Sequence, residues 1–112
     1  MTRLAALAAA ATLACLAPAR ANAEDQVLHA VFDCPGGGTL EAVFINTGAG
    51  ASHAVITRGD GLMAMRVGRS ASGARYTTLP GAAPFTFWTK GDSASLYEGP
   101  EETPVLVDCR AR

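Results

Sequence analysis

Two short segments gather the side chains that could do chemistry. They are Ser70-Ala71-Ser72-Gly73-Ala74-Arg75-Tyr76 and Phe87-Trp88-Thr89-Lys90-Gly91. The second carries the only lysine and the only tryptophan of the 112-residue chain. A serine hydroxyl both donates and accepts, whereas a lysine ammonium offers three donors and no acceptor. Against a desolvated carboxylate, Lys90 would make a charge-assisted hydrogen bond, and Ser72 could add a second contact. Gly73 and Gly91 allow tight turns and keep bulk away from whatever approaches. The chemistry implied is recognition of an acidic group. Taken singly, a Ser-Gly pair is an ordinary turn, and a lysine before glycine is an ordinary solvated charge. No nucleophile–base–acid set accompanies these residues, because His29 and His53 have no serine or cysteine at a recognisable motif.

The elements that must position the two segments are short. Runs rich in β-branched and aromatic residues, broken by Gly, Pro, Asn and Asp, read as strands. They fall near Gln26–Asp33, Thr39–Asn46, Ser52–Arg58, Leu62–Val67, Arg75–Thr78, Phe85–Thr89, Ala94–Glu98 and Val105–Cys109. Leu28, Ala30 and Phe32 share one face, as do Leu40, Ala42 and Phe44, and Met63, Met65 and Val67. Close spacing and tight links predict an all-β antiparallel barrel or sandwich, and closure into a barrel would remove aggregation-prone edges. Tyr76 and Trp88 are expected to stiffen the two segments from behind, as core residues. Arg58, Arg66 and Arg69 read as a solvated strand face, and Arg110-Ala111-Arg112 as a frayed tail.

The N-terminus reads as an address. Met1-Thr2-Arg3 is cationic, Leu4 to Leu16 is small and apolar, and Ala21-Asn22-Ala23 is a small-x-small cleavage site. The apolar run is shorter than the roughly 20 residues a membrane span needs. Residues 1–23 are therefore expected to be a signal peptide and 24–112 a single exported domain. Cys15, in Thr12-Leu13-Ala14-Cys15, is similar to a lipoprotein box, with Thr12 where such boxes carry Leu; lipidation there would tether the protein to the outer membrane. Removing Arg3 and Arg20 leaves seven basic against ten acidic residues, a mildly negative domain. That balance disfavours nucleic acid and suits a basic protein partner. A small core in an oxidising compartment calls for a staple, which makes Cys34–Cys109 the expected disulfide. A metal site from both cysteines with His29 and His53 is the rival, and no ligand spacing supports it. No cofactor is expected.

Ser72-Gly73-Ala74-Arg75-Tyr76 matches an SGxxY motif, and Phe85-Thr86-Phe87-Trp88-Thr89-Lys90-Gly91 matches the end of YxxxTKG. With Phe32-x-Cys34 and Cys109 framing them, the chain resembles the MliC/PliC family of bacterial c-type lysozyme inhibitors over roughly residues 29–109. The resemblance implies an eight-stranded antiparallel barrel with one disulfide, at the membrane or in the periplasm. It implies c-type lysozyme as partner, with Ser72 and Lys90 meeting the enzyme's catalytic carboxylates and Gly73, Tyr76, Thr89 and Gly91 completing the binding surface. Phe85 departs from the motif's tyrosine, so any hydrogen bond from that hydroxyl is lost while aromatic packing survives. A homodimer is left open. The alternative function is an envelope structural or small-ligand-binding barrel, although one of this size should be filled by its own side chains.

Overall fold

The computed structural model describes residues 24–112. The expected signal sequence and Cys15 lie outside the described residues. Eight strands follow in order: β1 (Gln26–Asp33), β2 (Thr39–Asn46), β3 (Ser52–Arg58), β4 (Gly61–Gly68), β5 (Ala74–Thr78), β6 (Phe85–Lys90), β7 (Ser93–Glu98) and β8 (Thr103–Ala111). Each pairs antiparallel with its neighbours in sequence, and β8 returns to β1 to close the barrel. The strands match the expected ones, with several ends one or two residues longer.

Strand alternation sets the interior. Phe32, Leu40, Ala42, Ala54, Ile56 and Met65 are all buried, as are Phe87 and Leu96 across the barrel. Each such large side chain contributes about 1.5–3 kcal/mol relative to exposure. Phe87 is the hub: Phe32 meets it edge-on at 6.1 Å, Phe44 stacks on it at 6.1 Å, and Tyr76 lies tilted at 6.3 Å. The middle of the barrel is packed with its own side chains. One end opens into a recess of about 320 Å³.

The seam between β1 and β8 is short. Only Phe32 with Ala111 and Asp33 with Arg110 pair across it. Three features reinforce this place. Cys34 and Cys109 form the expected disulfide, 75 residues apart in sequence. The sulfurs that a metal site would have needed are thus bonded to each other. Arg112 Nε and Nη2 hold the Asp33 carboxylate at 2.9–3.1 Å, and the Arg112 amide donates to the Val31 carbonyl at 2.9 Å.

The C-terminal tail is therefore not frayed. Arg110 and Ala111 belong to β8, and the Ala111 amide donates to the Asp92 carbonyl at 2.8 Å. The expectation failed because the partners of this tail, Asp33 and Asp92, are distant in sequence and leave no local signal. His29 also has a partner that spacing did not show, the Glu41 carboxylate at 2.6 Å across β1 and β2. Arg58, Arg66 and Arg69 are exposed as expected.

Candidate functional site

The two motif segments lie side by side because β5 and β6 pair. Ala74 faces Thr89, Arg75 faces Trp88 and Tyr76 faces Phe87. The Ser70–Gly73 loop enters β5 just where β6 ends at Lys90. Residues 91 and 92 then turn the chain into β7, with Lys90 paired to Ser93. Gly91 takes φ +59° there, a left-handed conformation that costs glycine little. Ser93 Oγ donates to the Lys90 carbonyl at 2.9 Å and ties the hairpin across its neck.

Gly73 is the closest contact between the segments. Its φ is +66°, and a Cβ there would overlap the Thr89 carbonyl oxygen, lie 3.0 Å from Trp88 Nε1 and 3.1 Å from Lys90 Cβ. Only glycine lets the loop pack so tightly on the end of β6. The loop is held from two sides at one atom. Trp88 Nε1 donates to the Ser72 carbonyl at 3.0 Å, and Ser70 Oγ donates to the same oxygen. Ser72, Gly73, Lys90 and Gly91 are all exposed at this edge. Among the described residues Lys90 has no ion-pair partner, so its charge faces outward unneutralised.

Thr89 and Tyr76 sit differently. Thr89 is half-buried and, one residue from Lys90, points to the opposite side of β6, where it lines the recess with Tyr76 and Gly91. Tyr76 is 5% exposed and belongs to the aromatic core. Its hydroxyl lies 3.4 Å from Ser52 Oγ, which donates to Asn46 Oδ1 at 2.6 Å. Leu28, Ala30 and Phe44 supply apolar walls to the same recess. The sequence singled out neither Asn46 nor Ser52, because only the β2–β3 register, Asn46 opposite Ser52, brings them to Tyr76.

Trp88 is not a core residue. It stands half-buried on the outer face of β6, with the Arg75 guanidinium 5.7 Å from its ring centroid. Arg75 in turn pairs with Glu102 on the β7–β8 turn. The outward direction follows from alternation: Phe87 and Thr89 take the inner face, so Trp88 and Lys90 share the outer one. Phe85 is at the far end of β6, about 17 Å along the strand from Lys90. It packs against the core under Arg58, whose guanidinium lies 6.0 Å from the ring. The hydroxyl absent from this position is therefore remote from the Ser72–Lys90 edge.

Among the described residues, this edge presents one unneutralised cation, one free hydroxyl and two glycines, beside a recess of neutral character. It can donate to an acidic group and enter a narrow space. It holds no group arranged for bond breaking. Among the described residues no three His, Cys, Asp or Glu side chains gather as a metal would require.

Comparison with known proteins agrees with this fold. The family model for membrane-bound lysozyme inhibitors of c-type lysozyme (MliC) matches residues 32–104, which include both motifs. The crystal structure of PliC-St, the periplasmic lysozyme inhibitor of C-type lysozyme from Salmonella typhimurium, is similar at 26% identity and a TM-score of 0.71. The match covers 78% of this chain and 99% of that one. No curated protein sequence matches the chain. The chain belongs to the MliC family of c-type lysozyme inhibitors, and it is not an enzyme.

Proposed function

We propose that the protein inhibits c-type lysozyme by occupying its active-site cleft with the Ser72–Lys90 edge. The observation that carries this is the juxtaposition of Ser72 and Lys90 across the Gly73 contact, on a face where Lys90 has no counter-ion among the described residues. A lysozyme cleaves glycan between two carboxyl groups, one acting as acid and the other as nucleophile or stabiliser. A single ammonium at the bottom of such a cleft neutralises charge that the enzyme needs, and it makes a strong hydrogen bond once water is excluded. Ser72 completes the contact, donating to a carboxylate or accepting from a protonated carboxyl. Gly73 and Gly91 keep the edge thin enough to enter. The net negative charge of the exported domain favours approach to a basic enzyme, while the local cation meets its acidic floor.

A periplasmic location, or a membrane-anchored one through Cys15, fits this role, since the target would arrive from outside the cell. The small-ligand reading has one observation behind it, the recess at the barrel mouth. The packed interior limits any such ligand to that open end.

The experiment is a cell-wall lysis assay. Purified, oxidised protein should abolish lysis by a c-type lysozyme in a dose-dependent manner. Unchanged lysis at micromolar excess would refute the reading.

A further inference from the structure

We propose that Trp88 is a positioning residue for the inhibitory edge, acting through the Ser72 carbonyl and itself held by Arg75 and Glu102. The inference rests on the cleft-occlusion reading above. The Ser72 carbonyl is the one loop atom gripped from both sides, by the Trp88 indole N–H at 3.0 Å and by Ser70 Oγ. Fixing that carbonyl fixes the peptide plane from which the Ser72 side chain projects. The left-handed Gly73 follows immediately, packed on Thr89 and Lys90, so the same grip sets the spacing between hydroxyl and ammonium.

The indole cannot hold the carbonyl unless its own ring is fixed. Trp88 is outside the core, so core packing does not do this. The Arg75 guanidinium lies over the ring at 5.7 Å and is anchored by the Glu102 carboxylate, 27 residues further along the chain. Glu102 takes φ +53°, a conformation uncommon for a residue with a side chain. The chain of contacts runs from the β7–β8 turn, through Arg75 and Trp88, to Ser72. It pre-organises a loop of small residues that would otherwise lose conformational freedom on binding, which is the recognised route by which rigidity raises affinity.

The test combines affinity with local dynamics. Trp88→Phe keeps a ring and removes the N–H. The backbone ¹⁵N order parameters of Ser72 and Gly73 in the free variant should fall from rigid values of about 0.85 to below about 0.6, while the melting temperature stays within a few degrees of the parent. Its dissociation constant for a c-type lysozyme should rise about tenfold. In the Trp88→Phe/Ser72→Ala double variant the loss should fall well short of the product of the two single losses, since both act through one loop. Glu102→Gln should move the order parameters and the affinity in the same direction by a smaller amount. It should also make Trp88, the sole tryptophan, easier to quench with acrylamide. Unchanged order parameters at Ser72 and Gly73 in Trp88→Phe would overturn the proposal. So would a double variant whose losses multiply, which would make Trp88 an independent contact. A parent protein that does not bind lysozyme would instead refute cleft occlusion, and the order parameters of the free protein would still decide whether Trp88 orders the loop.

Discussion

At the scale of single residues, the proposed inhibition divides the work between Lys90 and Ser72. Lys90 brings charge, and in the free protein solvent is its only counterpart among the described residues. Removing it should therefore leave the fold untouched and act on binding alone. Lys90→Ala is expected to weaken lysozyme inhibition by about 2–4 kcal/mol, the range of a central interface anchor, with no change in melting temperature. Ser72→Ala should cost somewhat less, about 1.5–3 kcal/mol for a hydrogen bond to a charged group. Titration calorimetry with each variant checks both values. Phe85→Tyr is expected to leave affinity unchanged within twofold, because the restored hydroxyl would lie at the opposite end of β6. The sequence motifs pointed to Ser72 and Lys90 together, and the β5–β6 pairing sets the Gly73 turn after Ser72 against Lys90. They could not show that Thr89 and Tyr76 turn toward the recess while Lys90 and Trp88 turn outward, since that depends on β6 alternation within a closed barrel.

At the scale of elements, the proposed site is the meeting of one loop and one hairpin, and Gly73 is where they touch. Gly73→Ala should be costly on two counts, a left-handed φ and a Cβ overlapping the Thr89 carbonyl. A loss of stability of about 1–3 kcal/mol is expected, together with a loss of inhibition larger than that of Ser72→Ala, because the loop must lift away from Lys90. Denaturant melts and inhibition assays on the one variant separate the two effects. Strand existence was legible in the sequence: the eight apolar runs and the turn residues between them mark all eight strands within a few residues at each end. The C-terminal end of β8 was not, since backbone contacts with Asp33 and Asp92, both far away in sequence, extend it. Trp88 was misplaced for a related reason. An aromatic residue in a strand usually goes inward, but here a cross-strand arginine with its own carboxylate covers the ring from outside.

At the scale of the whole molecule, the barrel closes over a two-pair seam, and its strength comes from beyond the backbone. The disulfide closes a loop of 75 residues, and its loss through Cys34→Ser is expected to cost about 2–5 kcal/mol, visible as a lower denaturation midpoint. Amide exchange should then open β1 and β8 before the other strands. The Asp33–Arg112 pair adds a pH dependence. The hydrogen bond from Arg112, with its charge, holds the Asp33 carboxyl below its ordinary value. A carboxyl lowered by folding contributes stability above its unfolded value, near pH 4, and that contribution disappears as pH falls through the lower folded value. Asp33→Asn should flatten this acid limb of the stability curve, which thermal melts between pH 2 and 6 would show. The seam also reaches the site, since Ala111 holds the Asp92 carbonyl in the hairpin after Lys90.

The central claim is that the Ser72–Lys90 edge lies in the lysozyme cleft. Calorimetric titration of the protein into a c-type lysozyme, with and without a saturating chitooligosaccharide in the active site, tests it most directly. Cleft occlusion requires strong binding to the free enzyme and competitive loss of that binding when the sugar is present. Equal affinity with the cleft filled would contradict it and place the contact elsewhere on the two proteins.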